Sequence, residues 1–525
     1  MGSFMVTGFV NAKIYASFNP LRIEEAMIVS EGRVVYVGKE GIVRDVVRKL
    51  NGKILDLNGR VVLPGFIDSH MHLDELGMFL NMLDLREVKS VEEMKSMLRE
   101  YVRKARNSWI LGHGWDQEKM ERWPTRHDLD EVVKEKPVML TRICMHAAVL
   151  NTKAMELTGL INSDLPGVMK DENGIPTGVV KEESFEVARR KFSESLTIDD
   201  YSKFLEDAMN YTSSQGVTTV GFVSCSLKAF KALMKIKDEG RMKVRVRAYL
   251  NYQEAMELFD FFKSLGLKRG VGDDMLKLMG IKIIADGSLG ARTAWLSSPY
   301  SDDPENSGHS NIDEQVLMEI VKAADELGLQ IAVHGIGDRA IDMIISAYEK
   351  LGNLKEKRHR IEHASILRPD QLEKIAELGI AISLQPRFVI SDWWIKNRVG
   401  EERIRLAYPF KSMIKKGIKL GFSTDSPVES LNPWETVYSS ITRGKYENLP
   451  IYEFTKDERI NLEESLYFYT EGSAYLLFEE SSLGSLEEGK YADFIVVNRN
   501  PFELDEREIR DVKIEETYLS GIRVK

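Results

Sequence analysis

Short apolar runs alternate with longer amphipathic segments along most of this chain. The runs are strand-sized, rich in Val and Ile, and nearly continuous in apolar character, which is typical of strands that helices bury on both faces. The pattern predicts eight such strands, at residues 60–70, 216–223, 244–250, 279–286, 329–335, 358–364, 380–385 and 419–425.

The segments between these runs have apolar residues three and four positions apart, which predicts helices. Segment 311–328 carries Asp near its start and Gly at its end, and segments 339–352 and 368–379 also end in Gly, the usual residue after a helix. Eight strands that alternate with helices predict an α/β fold, specifically a closed (β/α)₈ TIM-like barrel. A doubly wound sheet is the rival architecture, and the number of strands favours the barrel.

Two parts of the chain break the alternation. The two ends carry short β-type runs and Gly turns without long helices, and we expect residues 1–64 plus 484–525 to form one small β-sandwich beside a barrel at 65–483. Residues 75–200 separate the first and second strands and form a predicted insertion. A lid over the barrel mouth and a peripheral structural insert both fit this segment.

Composition narrows the class of protein. With 72 Lys and Arg against 82 Asp and Glu, the net charge of −10 argues against nucleic-acid binding through phosphate contacts. Two cysteines cannot build a disulfide framework, so a cytoplasmic location is expected. The sequence has no uncharged apolar stretch long enough to predict a membrane span. Abundant Lys and Glu, with scarce Gln, suggest a thermophilic source.

The predicted strands end in residues that can hold a metal. His70 and His72, in PGFIDSHMH, are two positions apart on the first strand, so their rings face the same side. Active sites of such barrels form at the C-terminal ends of the strands. Each residue alone is more often a polar rim residue, but the ordered set favours a metal centre. The fourth, fifth, sixth and eighth strands contribute Lys282, His334, His363 and Asp425.

These residue types suit hydrolytic chemistry. Imidazole and carboxylate groups bind zinc and similar first-row metals. Lys282 could bridge two metals if it is carboxylated, or it could stay an unmodified lysine paired with Asp286 beside a single metal. Asp425 could bind a metal and also act as the catalytic base that takes the proton of the attacking water.

Longer motifs add a family resemblance. The segments DGSLGARTAWL (286–296), VHGIGDRAI (333–341), RIEHAS (360–365) and GSLEEGKYADFIVVNRNPF (484–502) resemble the amidohydrolase superfamily, within it the amidohydrolase 3 or YtcJ-like family. The resemblance implies a barrel with a small composite β-domain and hydrolysis of amides, cyclic amides or N-acyl groups.

The resemblance also assigns the ligands of one or two divalent metals, with zinc expected. It places His70, His72 and Asp425 on the first metal, His334 and His363 on the second, and a carboxylated Lys282 between them.

The sequence gives weaker evidence for substrate contacts than for the metal ligands. His146 in TRICMHAAVLN resembles a family motif, Arg292 could bind a carboxylate or form a surface salt bridge, and Trp115 lies in the aromatic part of the insertion. Asp68 could orient the His70 and His72 pair or make a structural hydrogen bond. The expected partner is a small-molecule substrate, and a homodimer is compatible with the sequence.

Three other functions use the same residues. A lactonase or esterase would need the same activated water, and a regulator could keep the metal without catalysis. A deaminase is disfavoured because HGIGD, after the fifth strand, lacks a glutamate. Glu362 directly precedes His363 and is expected to point to the opposite side of its strand.

Overall fold

A barrel of eight parallel strands forms the centre of the computed structural model, which describes residues 6–525. The order of the strands in the sheet follows their order in the chain, and every neighbouring pair along this path is parallel. The predicted fold class is therefore confirmed. The strands are β1 (Phe66–Met71), β2 (Val217–Cys225), β3 (Arg245–Asn251), β4 (Leu276–Ile284), β5 (Gln330–Gly335), β6 (Arg360–His363), β7 (Ala381–Leu384) and β8 (Leu420–Phe422).

The barrel closes between β8 and β1 through bonds beyond the regular ladder. The Asp425 N–H donates to the His70 carbonyl at 2.9 Å, and the His72 N–H donates to the Ser426 carbonyl at 2.9 Å. Deeper in the barrel, the Ser69 hydroxyl donates to the Phe422 carbonyl at 3.0 Å. These bonds bring the C-terminal ends of the first and last strands together.

Helices follow most barrel strands, and local signals set their ends. The Asp313 carboxylate accepts hydrogen bonds from the first turn of its helix, and Gly379 ends another helix in the left-handed conformation. A two-residue strand, Val271–Gly272, pairs with β4. The helices from residue 198 onward are Ile198–Ser214, Leu227–Asp238, Tyr252–Met256, Phe259–Leu265, Glu314–Glu326, Asp338–Glu349, Leu354–Lys357, Pro369–Leu378, Phe388–Ser391, Ile395–Arg403, Phe410–Lys415, Pro433–Thr442, Pro450–Thr455, Leu462–Tyr467 and Ser473–Leu476.

A second sheet combines both ends of the chain. Its strand Lys53–Pro64 pairs in parallel with Val6–Phe18 and antiparallel with Phe494–Val497, which joins the N-terminal and C-terminal segments in one eight-stranded sheet. The stacked rings of Phe494 and Tyr518, 4.3 Å apart, belong to its apolar core. The other elements are strands Leu21–Glu24, Ala26–Ser30, Arg33–Gly38, Ile514–Leu519 and Ile522–Arg523 and helix Glu40–Lys49.

The first predicted strand, 60–70, is wrong as a single element. The chain passes at Gly65 from strand Lys53–Pro64 of the terminal sheet to β1 of the barrel. Gly65 is required at this passage because a Cβ there would lie 2.2 Å from the Thr218 hydroxyl. Pro64 has no N–H to continue the ladder. A continuous apolar run in the sequence therefore spans two sheets.

The segment between β1 and β2 contributes a compact unit, Asp74–Ala208 with Lys231–Lys235. Its core includes Leu98, Ile110 and Trp115. The unit contains a six-stranded sheet and its own helices, Leu73–Leu80, Val91–Val102, Arg126–Asp130, Thr152–Leu157 and Glu182–Ser195. In sheet order the strands are Val168–Lys170, Pro176–Lys181, Ala147–Leu150, Val138–Arg142, Ile110–Trp115 and Met82–Asp84. Among the helices of residues 6–525, none has the length and apolar content needed to cross a membrane.

Candidate metal centre

Four imidazoles and a carboxylate converge at the C-terminal ends of the barrel strands. The ring of His70 lies 5.6 Å from that of His72 and 4.9 Å from that of His363, and the ring of His334 lies 4.5 Å from that of His363, measured between centroids. Asp425 Oδ1 lies 3.1 Å from the Nε2 atoms of both His70 and His72. The tertiary structure thus brings together five of the six predicted ligands.

The tightest group consists of His70, His363 and Asp425. One ligand atom from each lies within 4.8 Å of the others, and all three residues are buried. His363 is also in ring contact with His334. It therefore lies between the two ligand sets that the family resemblance suggests, rather than with His334 alone.

Two of these histidines have one ring nitrogen occupied by a protein acceptor. The Nδ1 of His70 makes a short hydrogen bond with the Glu362 carboxylate. The Nε2 of His334 donates to the Gly287 carbonyl at 2.8 Å. Each acceptor receives a hydrogen bond from the ring N–H. The opposite nitrogen therefore keeps its lone pair and can coordinate a metal.

His363 is held in the same way by a side-chain amide. Its Nδ1 lies 2.6 Å from Gln385 Oε1, while the Gln385 amide NH₂ donates to the Ser423 hydroxyl at 2.9 Å. The second bond orients the amide so that its oxygen faces the ring. Burial, together with the neighbouring His334, lowers the pKa of His363 well below its usual range, which keeps the ring neutral.

Two buried atoms at the centre lack hydrogen-bond partners among residues 6–525. They are His70 Nε2 and Asp425 Oδ1. With the proton of His70 on Nδ1, its Nε2 presents a lone pair to a carboxylate oxygen 3.1 Å away. Two electron-rich atoms at this distance are favourable neighbours when a cation sits between them, so the arrangement fits a divalent metal.

Two of the candidate ligands, both at strand ends, have unusual backbone conformations. Asp425 has φ of +58° and His363 has φ of +78°, the left-handed region that non-glycine residues rarely adopt. Such conformations cost on the order of 1–3 kcal/mol and cluster at functional sites. At Asp425, the backbone hydrogen bond to His70 holds the strained residue in place.

Asp425 is buried, and the rings of His70 and His72 border its carboxylate. Asp68 has a different role: its carboxylate accepts from the His70 N–H at 3.1 Å and the Thr424 hydroxyl at 2.6 Å, and burial raises its pKa to about 7. Asp68 thus ties β1 to the segment that carries Asp425.

Lys282 is buried at the end of β4. It lines a cavity of about 230 Å³ together with Ser224 and Asn251, which lie at the C-terminal ends of β2 and β3. Lys282 therefore lies at the same end of the barrel as the histidines. The other residues that line the cavity are Tyr252, Gln253, Ile284 and Asn311.

The proposed substrate contacts have varied surroundings. Arg292 is engaged by Asp302 through two hydrogen bonds of 3.0 and 2.9 Å. Trp115 is fully buried in the insertion, and its indole N–H donates to a backbone carbonyl at 2.7 Å, so it offers no exposed surface to a ligand. His146 is exposed, and a substrate contact by its ring stays a prediction.

The contact between Glu362 and His70 was not part of the sequence interpretation. Glu362 and its neighbour His363 both reach the ring of His70, Glu362 through its carboxylate and His363 through a ring contact of 4.9 Å. A signal was present in the sequence, because RIEH places two charged residues on one face of a strand that is buried throughout. Gln385, which orients His363, follows β7 without any comparable signal.

Comparison with known proteins agrees with the family that the sequence motifs resemble. The model of the Amidohydrolase family matches residues 53–524. The putative amidohydrolase YtcJ of Bacillus subtilis (strain 168) is 31% identical over 516 residues, 95% of each chain. The N-substituted formamide deformylase of Arthrobacter pascens is 26% identical over 526 residues, 95% of this chain and 94% of the relative. A solved structure of an uncharacterized metal-dependent hydrolase from Pyrococcus horikoshii OT3 has a TM-score of 0.85 and 42% identity, covering 96% of this chain and 99% of that one.

Proposed function

Because this chain belongs to the amidohydrolase family, we propose that it is a metal-dependent enzyme that hydrolyses non-peptide C–N bonds of small amides, cyclic amides or N-acyl compounds. The observation that carries the proposal is the buried pair of His70 Nε2 and Asp425 Oδ1, which face each other without hydrogen-bond partners among the described residues. The name of one relative, an N-substituted formamide deformylase, supports an N-acyl substrate.

The donor set favours zinc. His70, His72 and Asp425 would hold one ion, and His334 with His363 a second, with Lys282 bridging if it is carboxylated. Nitrogen and carboxylate oxygen donors in this combination are typical of catalytic zinc sites. When bound, the metal supplies Lewis acidity that polarises the substrate carbonyl and lowers the pKa of water toward neutrality.

The protein's own residues would carry the proton. Asp425 is buried and is fixed by its backbone bond to His70, so as a carboxylate it can accept a proton from water and return it to the leaving nitrogen. The bonds that occupy one nitrogen of His70, His334 and His363 prevent these rings from turning. Proton transfer is therefore assigned to Asp425, and positioning to the histidines.

Metal content and substrate class can be tested together. We expect protein purified without chelators to contain one or two zinc equivalents per chain by plasma mass spectrometry, and to hydrolyse members of a panel of N-formyl, N-acetyl and cyclic amide compounds. With a bridging Lys282, the Lys282→Ala variant loses most of one equivalent; unchanged content in that variant contradicts the bridge.

The same panel contains esters and lactones because an activated water attacks these as well. Hydrolysis confined to esters and lactones would overturn the C–N assignment. Fully metal-loaded protein that hydrolyses none of the compounds would favour a metal-binding regulator. Protein that contains no metal, even after reconstitution with zinc, would overturn the metal centre itself.

A further inference from the structure

The barrel interior contains a buried ion pair between Arg360 and Glu362, two residues of β6. Arg360 Nε donates to Glu362 Oε1 at 2.7 Å and Nη2 donates to Oε2 at 2.9 Å, and neither side chain is exposed to solvent. Barrels of this kind are usually filled by branched aliphatic side chains. Because removing two charges from water is costly, apolar residues of similar volume often stabilise a fold as well as a buried ion pair does. The stability of the fold alone therefore does not account for this pair.

The carboxylate of the pair contacts a predicted metal ligand. Glu362 Oε2 makes a short hydrogen bond with Nδ1 of His70, whose Nε2 faces Asp425 Oδ1 at 3.1 Å. The carboxylate accepts a hydrogen bond from the Nδ1–H of the ring, so it selects the tautomer with the lone pair on Nε2. It also fixes the plane of the ring, since rotation would break this bond.

The guanidinium of the pair makes a second attachment to the same ligand. Arg360 Nη2 also donates to the carbonyl of Ser69, the residue before His70, at 3.1 Å. Nη1 donates to the Tyr249 hydroxyl at 3.2 Å, and the guanidinium lies over the Tyr249 ring, 4.7 Å from its centroid. One fixed cation thus holds both the carboxylate that orients the His70 ring and the backbone next to it.

The tyrosine is itself anchored. Its hydroxyl donates to Gln330 Oε1 at 2.6 Å, and the Gln330 amide donates to the carbonyl of Leu476 at 2.9 Å. Gln330 is the first residue of β5, so this end of the network lies at the opposite end of the barrel from the ligands. A continuous set of hydrogen bonds therefore runs through the barrel from its N-terminal end to His70.

We propose that Arg360 and Glu362 are positioning residues that fix the ring plane and tautomer of His70 for metal coordination. The inference deepens the proposed function, because it concerns the same metal centre. The pair acts through His70 and not through a contact of its own with the substrate. Its contribution should therefore appear in metal affinity and coordination geometry, separately from the stability of the fold.

Two substitutions distinguish positioning from a structural role. In the double variant Arg360→Met/Glu362→Leu, both charges are replaced by apolar groups, and we expect the apparent Tm of the metal-free protein to equal or exceed that of the wild type. Its affinity for Co²⁺ should fall roughly 10- to 100-fold, the usual effect of losing a partner of a ligating histidine. The visible absorption of bound Co²⁺ should also change, since His70 is free to turn.

The conservative variant Glu362→Gln should show the opposite combination. Its side-chain oxygen can still accept a hydrogen bond from His70 Nδ1, so the ring plane and the Co²⁺ spectrum should be kept, and Co²⁺ affinity should fall less than in the double variant. Its Tm should fall, because Arg360 is left as a buried cation without a counter-charge. A matched control is Arg245→Met/Asp493→Leu, which removes another buried pair, with contacts of 2.7 and 3.0 Å, and should leave the Co²⁺ spectrum unchanged.

The outcomes separate cleanly. Wild-type affinity and spectrum in the Arg360→Met/Glu362→Leu variant would overturn the positioning role, and failure of that variant to fold would show that the pair is required for the fold instead. Wild-type protein that binds Co²⁺ but hydrolyses nothing in the substrate panel would overturn the proposed function, while leaving the comparison of metal affinities and spectra valid.

Discussion

At the residue scale, three kinds of acceptor hold three of the imidazoles in the candidate metal centre. A carboxylate holds His70, a side-chain amide oxygen holds His363, and a backbone carbonyl holds His334. A charged acceptor makes the opposite ring nitrogen more electron-rich than a neutral one does. His70 is therefore expected to be the strongest donor of the three, which agrees with its central place between His72, His363 and Asp425.

The role of Asp425 can be tested by Asp425→Asn. Asparagine has nearly the same shape but cannot take up a proton, so we expect kcat to fall by roughly 10²–10⁴-fold while most of the metal stays bound. Steady-state kinetics and metal analysis of the same preparation measure both quantities. The exposed Asp457→Asn variant is the control and should keep normal activity. A variant of Asp425 that keeps more than a tenth of the activity would contradict its role as the base.

At the element scale, a helical turn that follows the last barrel strand is bonded to the first strand of the terminal sheet. Glu471, in the turn Phe468–Gly472, accepts a hydrogen bond from the Phe18 N–H at the end of strand Val6–Phe18, at 2.9 Å. Burial raises the pKa of Glu471 to about 7. This carboxyl group therefore favours its protonated form in the folded protein at a pH where it would be ionised in the unfolded chain.

The sign of the pH dependence follows from this shift. Between about pH 4.5 and pH 7 the folded protein binds more protons at Glu471 than the unfolded chain does, so the stability of the wild type falls as pH rises through this range. Glutamine does not titrate but can still accept from Phe18. As pH increases from 5 to 8, we expect the apparent Tm of Glu471→Gln to rise relative to that of the wild type. The corresponding difference in the free energy of unfolding is of the order of 2 kcal/mol. Parallel Tm profiles for the two proteins would contradict the assignment.

At the scale of the whole molecule, the predicted ligands are far apart in the chain but belong to one compact unit. Residues 70–72, 282, 334, 363 and 425 all lie in the unit that contains the barrel strands. A metal bound by this set links the first strand to the last. Because the unfolded chain does not hold these groups together, metal binding favours the folded state.

Metal removal is therefore expected to lower the stability of the folded protein. Chelation should lower the apparent Tm, and returning zinc should restore it, since free metal at 100 times Kd contributes about 2.7 kcal/mol. Differential scanning calorimetry at fixed protein concentration measures the shift. Magnesium, which prefers oxygen ligands, is the control and should restore little. A Tm that is the same with and without chelator would contradict a centre that spans the barrel.

The barrel, and the strand ends that carry most of the candidate ligands, could be predicted from the sequence because their signals are local. A strand buried on both faces is apolar almost throughout, and the residue that ends it marks the C-terminal face. His334 and His363 end β5 and β6, as expected, and Asp425 follows β8 closely. Caps such as Asp313 and Gly379 likewise depend only on residues nearby in the chain.

The sequence by itself determined the alternation of strands and helices and the residue types at the strand ends, because hydrophobic period and capping act over a few residues. Only the tertiary structure decided that the run 60–70 divides between two sheets, that Glu362 reaches His70, and that Asp425 adopts a left-handed backbone. These features depend on contacts between residues that are hundreds of positions apart, and such contacts form only when the barrel closes between β8 and β1.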